Sequence, residues 1–355
     1  MGKVIRTQEI GSLRKPPKLM EMWKSYLNKK ITFDELLPEI RRVSVENIKK
    51  LEEIGLTYVY DGEMHRWEMY YHPVTNIYGF ELVGQVRVME NRYFVKAAVR
   101  KPIKYLKNYY LDEFLFIKKV AKNIVKIPVT GPYTIADWTF NEYYVEKWFK
   151  TLDDMKIIRF NAKRNLVYDL AEKVINPILK ELASNGAERI QIDEPAATTH
   201  PSEMEFFVDG FNLAVDGVKA TVTVHICYSD YSILTPYILE MKTKHFALEF
   251  ANRDSWKLGI SDKDRPGYSY LRELYIEYGY DGEIGLGVID VHTDAIESPE
   301  LIRDRILYAA KFVDPEKIIV NPDCGLRTRR REIAFKKLEN MVKGVELAEK
   351  ELGLL

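Results

Sequence analysis

Cysteine is scarce in this 355-residue chain, which contains only Cys227 and Cys324. Two cysteines cannot build the disulfide framework of a small secreted domain, so we expect a reducing, cytoplasmic setting. Net charge is also absent, because 53 lysines and arginines balance 53 aspartates and glutamates. A general nucleic-acid surface or a polybasic membrane patch needs a cationic excess, and the composition argues against both.

Long hydrophobic runs are missing as well. No apolar segment approaches the ~20 residues that a transmembrane helix needs. The basic start at Met1–Arg6 is not followed by the apolar stretch of a signal peptide. Low-complexity segments and Gly/Ser-rich linkers do not occur. With 46% hydrophobic and 30% charged residues, the composition is that of a soluble globular protein that is not bound to membranes.

Short β-branched runs alternate with longer amphipathic segments along the chain. The predicted strands are Val4–Arg6, Thr57–Tyr60, Val125–Val129, Arg189–Ile192, Val222–Ile226, Phe246–Phe250, Ile284–Ile289 and Lys317–Val320. Strands that alternate with helices predict parallel βα units, which form either an open doubly wound sheet or a closed barrel. Eight is the number of strands in the barrel, so we expect a (β/α)8 TIM barrel that spans residues 1–355 as one catalytic domain.

One segment does not follow the alternation of strand and helix. Residues 81–101 combine β-branched and polar residues in a pattern typical of a β-hairpin, with a turn at Glu90-Asn91. We expect this hairpin to be an insertion after the second barrel strand.

Polar side chains follow the predicted strands, at the end of a TIM barrel where active sites lie. His225 and Cys227 end the fifth strand and share a face because they are two residues apart. Glu249 lies on the sixth strand, and Cys324 follows the eighth. A lone buried cysteine beside a histidine is more often core than metal ligand. The second cysteine at another strand end shifts the balance towards a zinc site.

Several motifs occur in one order and together cover nearly the whole chain. They are Ile10–Ser12 (IGS), Asp61–Glu63 (DGE), Thr130–Phe140 (TGPYTIADWTF), Ile190–Ala197, His225–Cys227 (HIC), Glu249, Asp290–His292 (DVH) and Asn321–Arg329 (NPDCGLRTR). In this set the chain resembles the cobalamin-independent methionine synthases, specifically their carboxyl-terminal catalytic barrel. The resemblance implies a methyltransferase of methionine biosynthesis that converts L-homocysteine into L-methionine.

The resemblance also implies which residues form the site. One Zn²⁺ per chain would be held by His225, Cys227, Glu249 and Cys324. Homocysteine would lie against the backbone and hydroxyl groups of Ile10, Gly11 and Ser12, with its ammonium group on Glu63 and Asp193.

On the donor side, the resemblance implies that Trp138 stacks on a pterin. It implies that His292, paired with Asp290, gives a proton near the methyl donor. The familiar folate enzymes carry two barrels in one long chain, whereas this chain accounts for one. The donor therefore stays open between a methylated folate or other methyl-pterin and a methyl-corrinoid such as methylcobalamin, free or carried by a corrinoid protein.

Two alternative functions are compatible with the same fold. In the first, the zinc activates another thiol such as coenzyme M. Glu63 and Asp193 favour an amino acid over that substrate, because a sulfonate requires cations. In the second, the chain is a non-catalytic, zinc-containing barrel that binds an amino acid, which would leave the polar strand ends without a purpose.

Overall fold

The structure is a computed structural model that describes residues 4–89 and 92–354. Its strands are β1 (Arg6–Thr7), β2 (Tyr58–Val59), β3 (Tyr78–Met89), β4 (Arg92–Lys104), β5 (Ile124–Thr130), β6 (Phe140–Asn141), β7 (Arg189–Asp193), β8 (Thr221–Ile226), β9 (His245–Leu248), β10 (Glu283–Ile289) and β11 (Ile318–Pro322). Its α-helices are α1 (Pro17–Leu27), α2 (Phe33–Ile54), α3 (Tyr71–Val74), α4 (Leu111–Val120), α5 (Pro132–Asp137), α6 (Glu142–Phe149), α7 (Met155–Leu170), α8 (Asn176–Ser184), α9 (Met204–Val215), α10 (Tyr270–Arg272), α11 (Pro299–Ala309) and α12 (Arg331–Glu351).

Eight of these strands form a closed parallel barrel. Their order is β1-β11-β10-β9-β8-β7-β5-β2, and every neighbouring pair is parallel. A parallel bridge between Gln8 and Tyr58 joins the two outermost strands. The amide of Thr57 also donates to the carbonyl of Thr7 at 3.0 Å, so the sheet closes on itself. The expected TIM barrel is confirmed.

All eight predicted strands are present, with different ends. The sixth, predicted over Phe246–Phe250, ends at Leu248, so Glu249 is the first residue of the loop that follows β9. β1 and β2 contain only two residues each. The strand ends are set by hydrogen bonds to neighbouring strands, which a local pattern does not contain.

The interior of the barrel is partly polar. Lys126 on β5 is fully buried and donates to the side chain of Gln191 on β7 at 2.5 Å. On the other side, Gln8 donates to Asn321 at 3.1 Å. Helices pack their apolar faces around the outside, as α2 does with Leu36, Ile40, Val43 and Leu51 after a capping box at Thr32.

A long antiparallel hairpin lies across the carboxyl end of the barrel. It is formed by β3 and β4, and its second strand pairs with the short β6. The hairpin extends beyond the predicted 81–101 on both sides, and the predicted turn at Glu90-Asn91 lies outside the described residues. Val86, Phe94 and Val95 of this hairpin face the cavity at the barrel mouth. Within residues 4–89 and 92–354, no helix has the length and apolar content needed to cross a membrane.

Candidate metal centre and active site

The carboxyl ends of the strands and the hairpin enclose a cavity of about 460 Å³. Most of the predicted site residues line it, namely Ile10, Gly11, Ser12, Glu63, Trp138, Asp193, His225, Cys227, His292 and Cys324. Glu249 and Asp290 are not part of this lining. Residues from the first, second, third, fourth, fifth, seventh and eighth barrel strands or the loops after them therefore meet in one place, as a closed barrel requires.

Three potential metal ligands lie together in the wall of the cavity. The imidazole of His225 and the sulfur atoms of Cys227 and Cys324 all lie within 4.8 Å of one another. The two Sγ atoms are 3.6 Å apart. β8 and β11 are three strands apart, which in a flat sheet is roughly 14 Å. Closure of the barrel therefore brings the two cysteines together.

The hydrogen bonds around this group leave atoms free for a metal ion. Nδ1 of His225 donates to the carbonyl of Ala247 at 2.9 Å, which leaves Nε2 with a lone pair. That Nε2 atom is buried and has no hydrogen-bond partner among the described residues, and the same holds for Oε2 of Glu249. Buried polar atoms rarely stay unpaired. A metal-bound histidine typically donates its other ring N–H to a carbonyl or carboxylate, so the residues fit a metal ion.

The two thiols change each other's ionisation. The neighbouring thiol of Cys227 and the ring of His225 hold the pKa of Cys324 well below its ordinary value. The bond to Cys324 and burial hold the pKa of Cys227 well above its own. A lowered pKa favours the thiolate of Cys324, which is the form of cysteine that binds a metal ion.

Glu249 is held at the edge of this group. It is completely buried, and burial raises the pKa of its carboxyl. Its amide donates to the hydroxyl of Tyr231 at 2.7 Å, and its Oε1 accepts from Asn252 at 2.9 Å. The structure thus brings three of the four predicted ligands within 4.8 Å, and Glu249 lies outside that group.

The loop that carries Glu63 is shaped by Asp61. The Asp61 carboxylate accepts from Ser44 at 2.6 Å, from His65 at 2.9 Å and from the amide of Glu63 at 2.8 Å. Gly62 and Glu63 both adopt left-handed backbone angles, with φ of 83° and 61°. Glu63 is buried rather than solvated, and burial raises the pKa of its carboxyl.

Gly11 leaves room for the side chain of Glu63. A Cβ atom at position 11 would lie 2.7 Å from Oε1 of Glu63, which is closer than any ordinary contact. The IGS and DGE motifs, far apart in sequence, therefore depend on each other in the cavity.

The two acids of the Asp193-Glu194 pair have different roles. Asp193 ends β7, lines the cavity and accepts from Gln191 at 2.6 Å, and burial raises its pKa to about 7. The carboxylate of Glu194 accepts from the amide of Thr134 at 2.7 Å and so binds the first turn of α5. Only the first acid of the pair is available to a ligand.

Sequence patterns did not reveal the residues beneath Ile10. Its carbonyl accepts from Gln191 at 2.7 Å and from the buried amine of Lys126 at 3.4 Å. Lys126 also donates to the carbonyl of Glu9. A lysine in the middle of the apolar strand Ile124–Thr130 is the signal that identifies such an interior contact.

His292 lies exposed at the mouth of the cavity. Its Nδ1 is 2.6 Å from the hydroxyl of Tyr228, and the two rings are 4.6 Å apart at their centroids. The predicted partner, Asp290, accepts instead from the backbone amide of His292 at 2.8 Å. Asp290 therefore orders the main chain, and Tyr228, which sequence reasoning missed, contacts the ring. A left-handed φ of 56° at Tyr228 directs its side chain to this position.

Trp138 forms an aromatic wall of the cavity. It follows α5 directly and is half-buried, and its ring centroid lies 6.0 Å from that of Tyr70 and 6.2 Å from that of Phe94 in the hairpin. A flat, aromatic surface in the same cavity as the metal-ligand group suits a planar heterocycle.

Known proteins are similar to this chain in sequence and in fold. The sequence pattern described as "Cobalamin-independent synthase, Catalytic domain" matches residues 5–347. A methionine synthase from Thermoplasma volcanium is 42% identical, with 95% of each chain covered. One from Pyrococcus furiosus is 41% identical, with 98% of this chain and 94% of the relative covered.

A solved structure has the same fold. It is the B12-independent methionine synthase from Shewanella sp. W3-18-1 in complex with selenomethionine, with a TM-score of 0.79, 22% identity and 99% of both chains covered. At that identity the likeness concerns the fold alone. The family match and the identity to the archaeal relatives carry the assignment: the chain belongs to the catalytic-domain family of the cobalamin-independent methionine synthases and is a methyltransferase.

Proposed function

We propose that this protein transfers a methyl group to the thiol of L-homocysteine and so forms L-methionine, with one Zn²⁺ held by His225, Cys227, Glu249 and Cys324. The observation that carries the proposal is the group of one imidazole and two thiols within 4.8 Å in the cavity wall. The Nε2 atom of this imidazole and the Oε2 atom of Glu249 have no hydrogen-bond partner among the described residues. They complete a nitrogen, sulfur and oxygen donor set that suits zinc.

Zinc bound at these residues would supply a deprotonated substrate sulfur at neutral pH, because a free thiol has a pKa of about 8.5. The protein's own residues would bind and orient the rest of the substrate. The buried acidic groups of Glu63 and Asp193 are suited to an ammonium group, since both line one cavity. The Ile10–Ser12 loop would receive the carboxylate.

This arrangement favours an amino acid over a sulfonate thiol such as coenzyme M. Two buried carboxylates repel a sulfonate, and in a partly desolvated cavity that repulsion is large. An ammonium ion relieves the repulsion between them. Glu63 and Asp193 therefore act as the selectivity element of the acceptor site.

On the donor side, the methyl group would approach between Trp138 and His292. An amine that loses its methyl group takes up a proton, and His292 at the mouth is the predicted acid. The hydroxyl of Tyr228 fixes the orientation of its ring. The donor class is a methyl-pterin, including methylfolate, or a methyl-corrinoid, free or protein-bound.

A methyl-transfer assay tests the proposal. The zinc-loaded enzyme is given homocysteine or coenzyme M, each with methylfolate, a methyl-pterin or methylcobalamin in parallel. We expect methionine with at least one donor and little methylation of coenzyme M. Methylation of coenzyme M in preference to homocysteine would contradict the acceptor, and transfer without zinc would contradict the metal.

A further inference from the structure

We propose that Asp323 and Tyr231, which line no part of the cavity, are positioning residues that lock Glu249 against the strands bearing the other metal ligands. This inference rests on the proposed zinc site. Both residues are buried, with exposed fractions of 0% and 4%. Each makes its hydrogen bonds to strand ends that carry predicted ligands.

Asp323 connects Cys324 with the loop after β9. Its carboxylate accepts from the amides of Phe250 and Ala251, each at 3.0 Å, and from the amide of Asn252 at 2.7 Å. These are the three residues that follow Glu249. The side chain of Asn252 then donates to Oε1 of Glu249 at 2.9 Å. A continuous series of bonds therefore runs from the residue before Cys324 to the Glu249 carboxylate. The Oε2 atom of this carboxylate has no partner in the part of the chain that the structure describes.

Asp323 reaches the β9 loop across a strand that lies between them. β10 separates β11 from β9 in the barrel. Gly287 of β10 provides the passage, because a Cβ atom there would overlap Oδ1 of Asp323 and lie 2.7 Å from the carbonyl of Leu248. The absence of a side chain at position 287 is thus a condition for the contact between the two ligand-bearing loops.

Tyr231 connects the HIC segment with the same glutamate. Its hydroxyl donates to the carbonyl of Ile226, which stands between His225 and Cys227, at 2.9 Å. The hydroxyl also accepts from the amide of Glu249 at 2.7 Å. One oxygen atom therefore sets the distance between β8 and the start of the β9 loop. With the bond from His225 to Ala247, all the ligand-bearing segments converge on the end of β9.

This geometry assigns metal retention, rather than substrate contact, to the two residues. Loss of a partner that orients a ligand lowers metal affinity by about 10- to 100-fold. We expect Tyr231→Phe, Asp323→Asn and Asn252→Ala each to raise the rate of zinc release by about that factor. Asn252 is half-buried in a loop, so its variant reports on the bonds even where a core variant folds poorly.

The experiment measures zinc release from the full-length holoenzyme to a chromophoric chelator, beside the thermal midpoint of the metal-free protein. Tyr270→Phe is the matched control for Tyr231, because its ring packs 5.4 Å away and its hydroxyl bonds no ligand-bearing strand in the described chain. Asp304→Asn is the control for Asp323, because this buried carboxylate accepts from the amide of Gly259 on another loop.

The inference is supported if zinc release is faster in the three variants and unchanged in both controls. The thermal midpoints of the metal-free proteins should not rank the variants in the same order as the release rates. Wild-type release rates in Asn252→Ala and in either core variant overturn it, while the zinc site itself stands. If the wild-type protein holds no stoichiometric zinc, the proposed function fails first, and the two failures are thereby distinguished.

Discussion

The Nδ1 atom of His225 lies 2.9 Å from the carbonyl oxygen of Ala247 on the neighbouring strand β9. This bond determines which nitrogen of the ring faces the two cysteine sulfurs. It also links β8 to the strand that precedes Glu249. The candidate metal centre therefore depends on the hydrogen-bonded strands of the barrel, since each ligand lies on a strand or among the first loop residues after one.

The acceptor site predicts a charge-specific loss of substrate affinity. Glu63→Gln and Asp193→Asn remove a carboxylate from the proposed ammonium site. We expect kcat/KM for homocysteine to fall about 10- to 100-fold, because a hydrogen bond to a charged group contributes about 1.5–3 kcal/mol. Steady-state kinetics with the zinc-loaded variants measures this loss.

The control is a substrate without the charge. 4-Mercaptobutyrate has the thiol and carboxylate of homocysteine and no ammonium group, so the same substitutions should hardly reduce its methylation. An equal loss for both thiols would show that the two carboxylates do not bind the ammonium group.

The proposed role of His292 predicts that its substitution affects methyl transfer differently for different leaving groups. A pterin nitrogen needs a proton when its methyl group leaves, whereas a corrinoid leaves as a cobalt(I) species that needs none. We expect His292→Asn to reduce transfer from a methyl-pterin by about 100-fold or more, the usual range for a general acid. Transfer from methylcobalamin, where it occurs, should fall much less. Similar losses with both donors would contradict the role of His292 as an acid.

Substitution of Tyr228 should also slow transfer from a methyl-pterin, but by a smaller factor. Tyr228→Phe keeps the ring contact and removes the hydroxyl that lies 2.6 Å from Nδ1 of His292. The imidazole should then be less well oriented, and we expect about a 10-fold loss in kcat with a methyl-pterin and an unchanged KM for homocysteine. A change in KM alone, measured with the same assay, would place Tyr228 in substrate binding instead.

Trp138 predicts an effect on the donor alone. Trp138→Leu preserves an apolar side chain and removes the planar surface beside Tyr70 and Phe94. Aromatic stacking contributes about 0.5–1.5 kcal/mol beyond buried area, so we expect the KM for a methyl-pterin to rise about 3- to 10-fold. The KM for homocysteine should not change. A rise in the homocysteine KM instead would place Trp138 on the acceptor side.

Glu9 predicts a pH dependence of stability. Its carboxyl oxygens are buried without hydrogen-bond partners in the described part of the chain, and burial raises its pKa from 4.5 to about 8. Above pH 4.5 the unfolded chain loses this proton while the native protein keeps it. The native state then binds more protons, so the free energy of unfolding falls as pH rises towards 8, by at most about 1.4 kcal/mol per pH unit.

Glu9→Gln removes this contribution. The free energy of unfolding of the variant, relative to that of the wild type, should therefore increase as pH rises from 5 to 7. Urea unfolding at each pH measures this difference. Parallel stability curves for the two proteins would show that Glu9 is already ionised in the native state.

The strand positions could be predicted because each buried strand is a run of apolar, β-branched residues. The convergence of His225, Cys227 and Cys324 followed from the same pattern, because the ends of barrel strands share one face. The link between Asp323 and Asn252 could not be predicted, since it crosses β10 and depends on the missing side chain of Gly287. Long-range bonds of this kind exist only after the barrel closes.

The role of Asp290 illustrates the same limit. An acid two residues before a histidine suggests a bond to the ring, and the sequence contains no information on which atom receives it. The fold directs the carboxylate to the amide of His292, and the ring instead meets Tyr228, 64 residues earlier in the chain.

The zinc content of Cys324→Ser is the most direct test of the central claim. Wild-type protein and variant are purified in parallel, their metal is measured by mass spectrometry, and their folding is checked by thermal unfolding. We predict about one zinc per wild-type chain, and a folded variant that has lost both tightly bound zinc and methyl transfer. A folded variant that retains one zinc per chain would contradict the proposed metal centre.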